Sequence, residues 1–451
     1  MREKQIILSV DYYESKDRLH GFTGDDEHFY FLYQSNLWDM ESEISVTGLQ
    51  NKLLADEDYK TAKLFNEYLA EVTRLKNLDQ WLFYPIELQI EHTNRCNARC
   101  IMCGHYHADH SRCSDISPDM IERLEFLFPF CKYIGIHGYG EPFLTDHLED
   151  FFQLYKKYGI RLYTNTNMSY MPDKYLPYIE DMFDEINVSC ESVRKEDYEA
   201  IRTGLSFERF SENINRVRRA CPHVRLNLCV VLLRQNLTQM EELVDFAADL
   251  GFSQISFAEM IVIPENKNQD DSPRKFPNIL SFYLKKAIRE AAARNIPVIY
   301  PPEALMDHED ISEELPEYNK LADLSSRTHE PEETNVPISF ERKRIDNSVK
   351  TQSRYSCRGI CDVLSGQAYC SVDGRFAACC VDGYHYTETI DHIYTIRDYW
   401  TSDSMKILRS CFREEKLPAI CTNCNFILQD RLKYLKLEDR SQYQKMLNSG
   451  G

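Results

Sequence analysis

Long apolar runs are missing from this chain: no stretch of about eighteen apolar residues occurs, so nothing reads as a membrane-spanning helix and no membrane partner is expected. Positive charge is in deficit as well. Lys and Arg number 53 against 72 Asp and Glu, and the net charge of −19 repels a phosphate backbone, which sets nucleic acid aside as a substrate. The opening MREKQIILSVDYYESKD lacks the apolar core of a signal peptide, so a cytoplasmic, reducing setting is expected. No internal repeat is present. Cysteine, by contrast, is abundant, with sixteen in 451 residues. In a long chain kept reduced, closely spaced cysteines point to metal or redox chemistry and scattered ones to core packing.

The length exceeds one typical domain and predicts a large central domain with smaller appendages. From about residue 85, short β-branched or apolar runs alternate with longer helical patterns, the mark of repeated βα units around a parallel sheet. Six strands are predicted, at Ile86–Glu91, Tyr133–His137, Arg161–Asn165, Glu185–Cys190, Arg225–Leu232 and Gln254–Met260. Helical segments begin near Ser117, His147, Pro172, Ser206 and Thr238, and another covers Ile279–Asn295. Ser117 before Pro118 is an N-cap followed by proline in the first turn, and Gly159 and Gly251 fall where helices stop. The expected division is an N-terminal extension over 1–84 with one helix near Tyr59–Leu75, a central domain over 85–300, and a polar linker or mobile loop over 301–352. A cysteine-rich module over 353–434 and a tail over 435–451 follow.

In EHTNRCNARCIMCGHYH, Cys96, Cys100 and Cys103 fall within eight residues just after the first strand. Iron–sulfur clusters are held by thiolates, normally four, so three from one loop leave one iron open to another ligand. A zinc site completed by His105, His107 or His110 is the alternative. The spacing resembles the radical S-adenosylmethionine (SAM) superfamily over roughly residues 85–265. The resemblance implies a partial (β/α)6 TIM-like barrel and a catalytic [4Fe–4S] cluster whose open iron is chelated by SAM. Where the family usually has an aromatic residue against the adenine, this chain has Met102.

Further matches follow on successive strand ends. Gly138-Tyr139-Gly140-Glu141-Pro142 looks like the family's glycine-glycine-glutamate-proline turn, and glycines there allow close backbone approach. Asn165 stands at a strand end similar to the family's Thr-Asn-Gly. Ser189, in NVSCE, and Arg202, in YEAIR, match positions that the resemblance assigns to SAM ribose or carboxylate contact. Guanidinium geometry suits a carboxylate. Ile261 would complete the adenine pocket. In parallel α/β barrels such strand ends gather at the carboxyl-terminal face.

The carboxyl-terminal segment resembles the SPASM and twitch modules of some family members. That resemblance assigns a second, auxiliary [4Fe–4S] cluster to Cys361, Cys379, Cys421 and Cys424, with Gly374 in a hairpin between the first two and with Cys357 or Cys380 as alternatives. No cysteine follows Cys424, so one auxiliary cluster is expected; a zinc knuckle is the competing reading. The resemblance implies an oxidoreductase or other carbon–hydrogen-modifying enzyme. Reductive cleavage of SAM would yield a 5′-deoxyadenosyl radical that abstracts substrate hydrogen, with electrons from a donor such as flavodoxin or ferredoxin. The first expected substrate is a small metabolite, such as a sugar or aminoglycoside-like alcohol, and the second a ribosomally made peptide bound through residues 1–84. A non-catalytic zinc-stabilised binding protein is the reading from another class. His137, Glu259 and Asp382 are the open choices for a proton acceptor.

Overall fold

The computed structural model describes residues 5–6, 18–24, 29–34, 44–76, 81, 83–103, 113–260, 271–301, 304–307, 310–322, 366–377, 386–389, 393–394, 396–402 and 405–406. Ile261, His105, His107, His110, Asp382, Cys357, Cys361, Cys379, Cys380, Cys421 and Cys424 lie outside the described residues.

The chain begins with an antiparallel sheet in the order β1 (Gln5–Ile6), β2 (Arg18–Gly24), β3 (Phe29–Gln34) and β4 (Ile44–Ser45), followed by α1 (Val46–Ala55) and α2 (Tyr59–Lys76). The second helix lies where its periodicity predicts. It docks on the central domain through Ala62, Phe65 and Leu69 and through buried Asn66, whose amide donates to the carbonyls of Tyr84 (2.9 Å) and Phe130 (3.2 Å).

The βα units then follow in order: β5 (Glu87–Ile90), a two-residue strand β6 (Arg99–Cys100), α3 (Pro118–Leu124), β7 (Tyr133–Gly135), α4 (Leu148–Lys157), β8 (Arg161–Thr166), α5 (Leu176–Met182) and β9 (Phe183–Ser189). Next come α6 (Lys195–Ile201), the short β10 (Arg202–Thr203), α7 (Phe207–Ala220), β11 (Arg225–Leu232), α8 (Met240–Asp249), β12 (Gln254–Glu259), α9 (Pro277–Ala293) and β13 (Val298–Ile299). All six predicted strands are present. They pair in parallel in the sequential order β5-β7-β8-β9-β11-β12, each neighbour reached by a helical crossover. Local chemistry explains the boundaries. Ser117 accepts from the Met120 amide at 3.2 Å ahead of Pro118, Ser206 from the Arg209 amide at 3.3 Å, and Gly159 and Gly251 end their helices at φ +60° and +64°.

Alternation along the strands separates two faces. Leu88 and Ile90, Ile134 and Ile136, and Ile186 and Val188 are all 0% exposed and belong to the core beneath the helices. The residues between them, among them Glu87, Gln89, Tyr163, Asn165, Asn187 and Asn227, form a polar lumen face.

Two features depart from expectation. The stretch 301–352 is not wholly linker: α10 (Leu315–Ala322) forms within it, and Tyr318 is buried, donating from its hydroxyl to the Arg234 carbonyl at 2.8 Å. Leu315 and Tyr318, three apart, supply one packed stripe in a segment whose composition is otherwise polar. The carboxyl-terminal segment also continues the barrel sheet. Strand β14 (Gln367–Cys370) pairs in parallel with β5, and β15 (Arg375–Ala377) and β16 (Tyr386–Thr389) extend it antiparallel. Gly374 occupies the expected hairpin turn, at φ +74°. Helix α11 (Ile396–Trp400) then packs Trp400 against Phe83 and Trp81.

Candidate active site

The loop after β5 carries Cys96, Cys100 and Cys103. It is braced from behind by Arg95, which donates from Nε and Nη2 to Asp115 (2.8 and 2.6 Å) and from Nη2 to the Leu144 carbonyl at 2.7 Å. The Cys103 amide donates to the Cys100 carbonyl at 3.0 Å, closing the turn that places the second and third thiols. Hydrogen bonds reach the sulfurs as well: the Ala98 amide lies 3.5 Å from Cys96 Sγ, and Arg202 Nη1 lies 3.6 Å from Cys100 Sγ. Burial pushes the Cys96 thiol up to about 11 and the Cys100 thiol up to about 12, so a metal must displace protons to bind there. Three thiols on one loop, two with a hydrogen-bond donor at the sulfur, suit an iron–sulfur cluster. Among the described residues no three His, Cys, Asp or Glu side chains gather as for a single metal ion, and a cubane, which spreads its thiolates over separate irons, does not ask for that.

The turn after β7 packs directly on this loop. A Cβ on Gly140 would lie 2.4 Å from the Thr93 carbonyl and 2.6 Å from that of Arg95, and one on Gly138 would lie 2.4 Å from Glu91 Cγ. The glycines thus admit the cluster loop itself. Gly140→Ala should lower stability by roughly 1–3 kcal/mol, because the obstructing atoms are backbone. Urea unfolding checks this, and an unchanged midpoint would mean that residues 93–95 yield freely.

Glu141 is 2% exposed, and both its oxygens are occupied. Oε1 accepts from the Thr166 hydroxyl at 2.6 Å and Oε2 from the Asn167 amide at 2.8 Å, while its own amide donates to the Arg95 carbonyl at 2.8 Å. Asn167 Nδ2 donates in turn to Asn97 Oδ1 at 3.0 Å, and Asn97 Nδ2 to the Ser169 hydroxyl at 2.8 Å, so the third strand end is stitched to the cluster loop. Burial outweighs these hydrogen bonds and pushes the Glu141 carboxyl up to about 7. An unfolded glutamate titrates near 4.3, so between these values the folded chain binds more protons than the unfolded one. This group's contribution is therefore full below about pH 4 and is lost as pH rises through 7, on the order of 3 kcal/mol in all. Glu141→Gln should flatten that slope in urea unfolding of the metal-free chain at pH 5 and pH 7.5. An identical slope in the variant would reject the assignment.

The remaining expected residues divide. Pro142 is buried at the start of a 3-10 turn. Met102 packs beside an apolar patch of Ile101, Ile201, Leu233 and Met260, the neighbour of Ile261. Ser189 ends β9, opposite Cys229. Asn165 is exposed on the lumen face and heads an amide ladder, accepting from Asn187 Nδ2 at 2.9 Å while Asn187 accepts from Asn227 Nδ2 at 3.0 Å.

Arg202 has a different environment from the one expected: it is 6% exposed and gripped by Glu191, itself 0% exposed, through two hydrogen bonds. Burial works against its charge, yet Glu191 and Cys100 outweigh that and hold the guanidinium well above its ordinary range. Of the candidate proton acceptors, Glu259 alternates with the lumen residues, is 9% exposed and is tied to Arg274, which takes it away from the lumen. His137 is on the lumen side, edge-on to Tyr163 at 5.3 Å, and its Nδ1 is buried without a partner. Burial, and then the nearby His92, lower it to about 4, so it is neutral at pH 7.

Sequence reasoning missed Glu91, Asn167 and Glu191 as buried polar partners and Asn97 as an exposed one. Glu91 is 0% exposed and accepts from the amides of Tyr139 (2.8 Å) and Val372 (3.2 Å), joining the β7 turn to the carboxyl-terminal hairpin. The available signal was position: each stands at a strand end or within the cysteine loop.

A Radical SAM superfamily model matches residues 90–247. Among curated relatives, a probable GTP 3′,8-cyclase of Thermococcus kodakarensis is 28% identical over 168 residues, which is 36% of this chain and 53% of the relative. A tungsten-containing aldehyde ferredoxin oxidoreductase cofactor-modifying protein of Pyrococcus furiosus is 24% identical over 191 residues, 40% of this chain and 53% of that one. The chain thus spans about half the length of these two relatives. Among solved structures, Streptococcus suis SuiB bound to its precursor peptide SuiA shares the fold at 13% identity and a TM-score of 0.50, over 87% of this chain and 84% of that one. Among the described residues no helix is long and apolar enough to cross a membrane. Residues 90–247 thus carry a radical SAM superfamily domain, and that family implies a [4Fe–4S] cluster, SAM and radical chemistry.

Proposed function

We propose that this protein is a radical SAM enzyme that oxidises or otherwise modifies a small polar metabolite, such as a sugar or aminoglycoside-like alcohol, in the barrel lumen. Cys96, Cys100 and Cys103 would hold the catalytic cluster, with Met102, the 138–142 turn, Asn165, Ser189 and Ile261 around SAM. When bound, that pair of cofactors supplies a hydrogen-abstracting radical. The chain's own task is to orient the substrate and keep water out. Cys361, Cys379, Cys421 and Cys424 would hold an auxiliary cluster, which suits a net oxidation, and a flavodoxin- or ferredoxin-type donor would supply electrons.

The observation that carries the substrate class is a pair of buried, unpartnered atoms on the lumen face. Gln89 is 4% exposed; its Nε2 donates to the His137 carbonyl at 3.0 Å, which only an amide nitrogen can do, so Oε1 is left as an acceptor with no donor. His137 Nδ1 is likewise unpartnered. Hydroxyl or amine groups of a substrate would satisfy both.

Anaerobic reconstitution tests the reading: iron, sulfide and SAM-dependent release of 5′-deoxyadenosine under dithionite support it. Zinc without iron, or a paramagnetic signal blind to SAM, would reject it in favour of a zinc-stabilised binding protein. A peptide substrate is the second reading, favoured by the antiparallel sheet β1–β4, whose edges offer strand addition. Co-purification of a short peptide that is lost on deleting residues 1–45 would select it.

A further inference from the structure

The positive charge beside Cys100 is fixed in place from outside the cysteine loop. Arg202 Nη2 donates to Glu191 Oε1 at 2.8 Å and Nε to Oε2, a two-point fork that leaves Nη1 at 3.6 Å from Cys100 Sγ. Backbone pairing prevents either partner from swinging. Strands β6 and β10 set Arg202 directly opposite Cys100, and the Ile101 amide donates to the Ile201 carbonyl at 3.0 Å. Gly204, at φ +94°, then turns the chain past the Asn97 carbonyl, where even a Cβ would come within 3.1 Å. Glu191 is anchored by the Val231 amide at Oε1 (3.4 Å) and by Asn236 Nδ2 at its carbonyl (3.1 Å). The fork to Glu191 uses two of the five N–H groups of the guanidinium, and Nη1 turns a third toward the sulfur.

We propose that Glu191 and Arg202 are positioning residues for Cys100, aiming Nη1 at the ligand sulfur and thereby raising the reduction potential of the catalytic cluster. The reduced cluster carries one more negative charge than the oxidised one. A hydrogen-bonded cation at a ligand sulfur therefore stabilises the reduced form more, and burial strengthens the effect. The electron comes from an external one-electron donor, dithionite in the test. The inference rests on the cluster assignment made above.

The test is a redox titration of anaerobically reconstituted full-length protein, without and then with SAM, followed by electron paramagnetic resonance in wild type, Arg202→Gln and Arg202→Lys. Without SAM, Arg202→Gln should be about tenfold less reduced at a fixed potential, a negative shift of about 59 mV for one electron. Arg202→Lys keeps the charge but not the fork and should fall between. Wild-type midpoints in both variants would overturn the proposal, whatever the SAM affinity. If circular dichroism shows Arg202→Gln unfolded, the Arg202→Lys midpoint decides alone. A wild-type protein without iron fails the underlying assignment instead, and the two failures are thereby distinct.

Discussion

Changing Cys96, Cys100 and Cys103 together to alanine should take SAM cleavage to background and remove about four iron atoms per chain, leaving about four where the proposed auxiliary cluster is loaded. The expectation follows from how the loop is built. Its thiols have no histidine or carboxylate substitute among the described residues, because Glu141 is committed to Thr166 and Asn167 and Glu191 to Arg202. Loss should therefore be complete, whereas a spare ligand would leave a few per cent. The fold should survive, since Arg95, Asp115 and Glu141 brace the loop without the metal. Circular dichroism, iron and sulfide analysis and 5′-deoxyadenosine release read these outcomes. Iron unchanged in the triple variant would move the catalytic cluster elsewhere.

The sheet and its loop were legible because they rest on short-range chemistry. Strand alternation, Ser117 with Pro118, Ser206, Gly159 and Gly251 all act within a few residues, and each lies where its local physics requires. Partner choice was not legible. Arg202 lies three residues from Glu199 in sequence but pairs with Glu191, eleven away, because the two-residue β6–β10 pairing turns it inward. Glu199 instead accepts from the Phe207 amide at 3.2 Å. Similarly, Gly138 and Gly140 read as ligand-approach glycines, whereas their missing side chains make room for residues 91–95. The parallel pairing of β14 with β5 joins residues about 280 apart, and no periodicity within either strand encodes it.

Trp400→Ala tests that long-range closure and should lower stability by about 3–5 kcal/mol, the range for removing a large buried aromatic ring. The side chain is 1% exposed, its ring lies 4.8 Å from Trp81, 5.2 Å from Phe83 and 4.6 Å from Tyr399, and its Nε1 donates to the Phe83 carbonyl. Phe83 stands four residues before β5, the strand that both receives β14 and leads into the cysteine loop. Loosening this contact therefore acts on the barrel at its first strand, besides freeing α11. Trp400→Phe keeps most of the ring but leaves the buried Phe83 carbonyl without its donor, and should cost about 1–3 kcal/mol. Urea unfolding of both variants, alongside hydrogen exchange at the β5 amides, separates the contributions. A loss under about 1 kcal/mol for alanine, with β5 protection unchanged, would mean that the carboxyl-terminal segment rests on the barrel without supporting it.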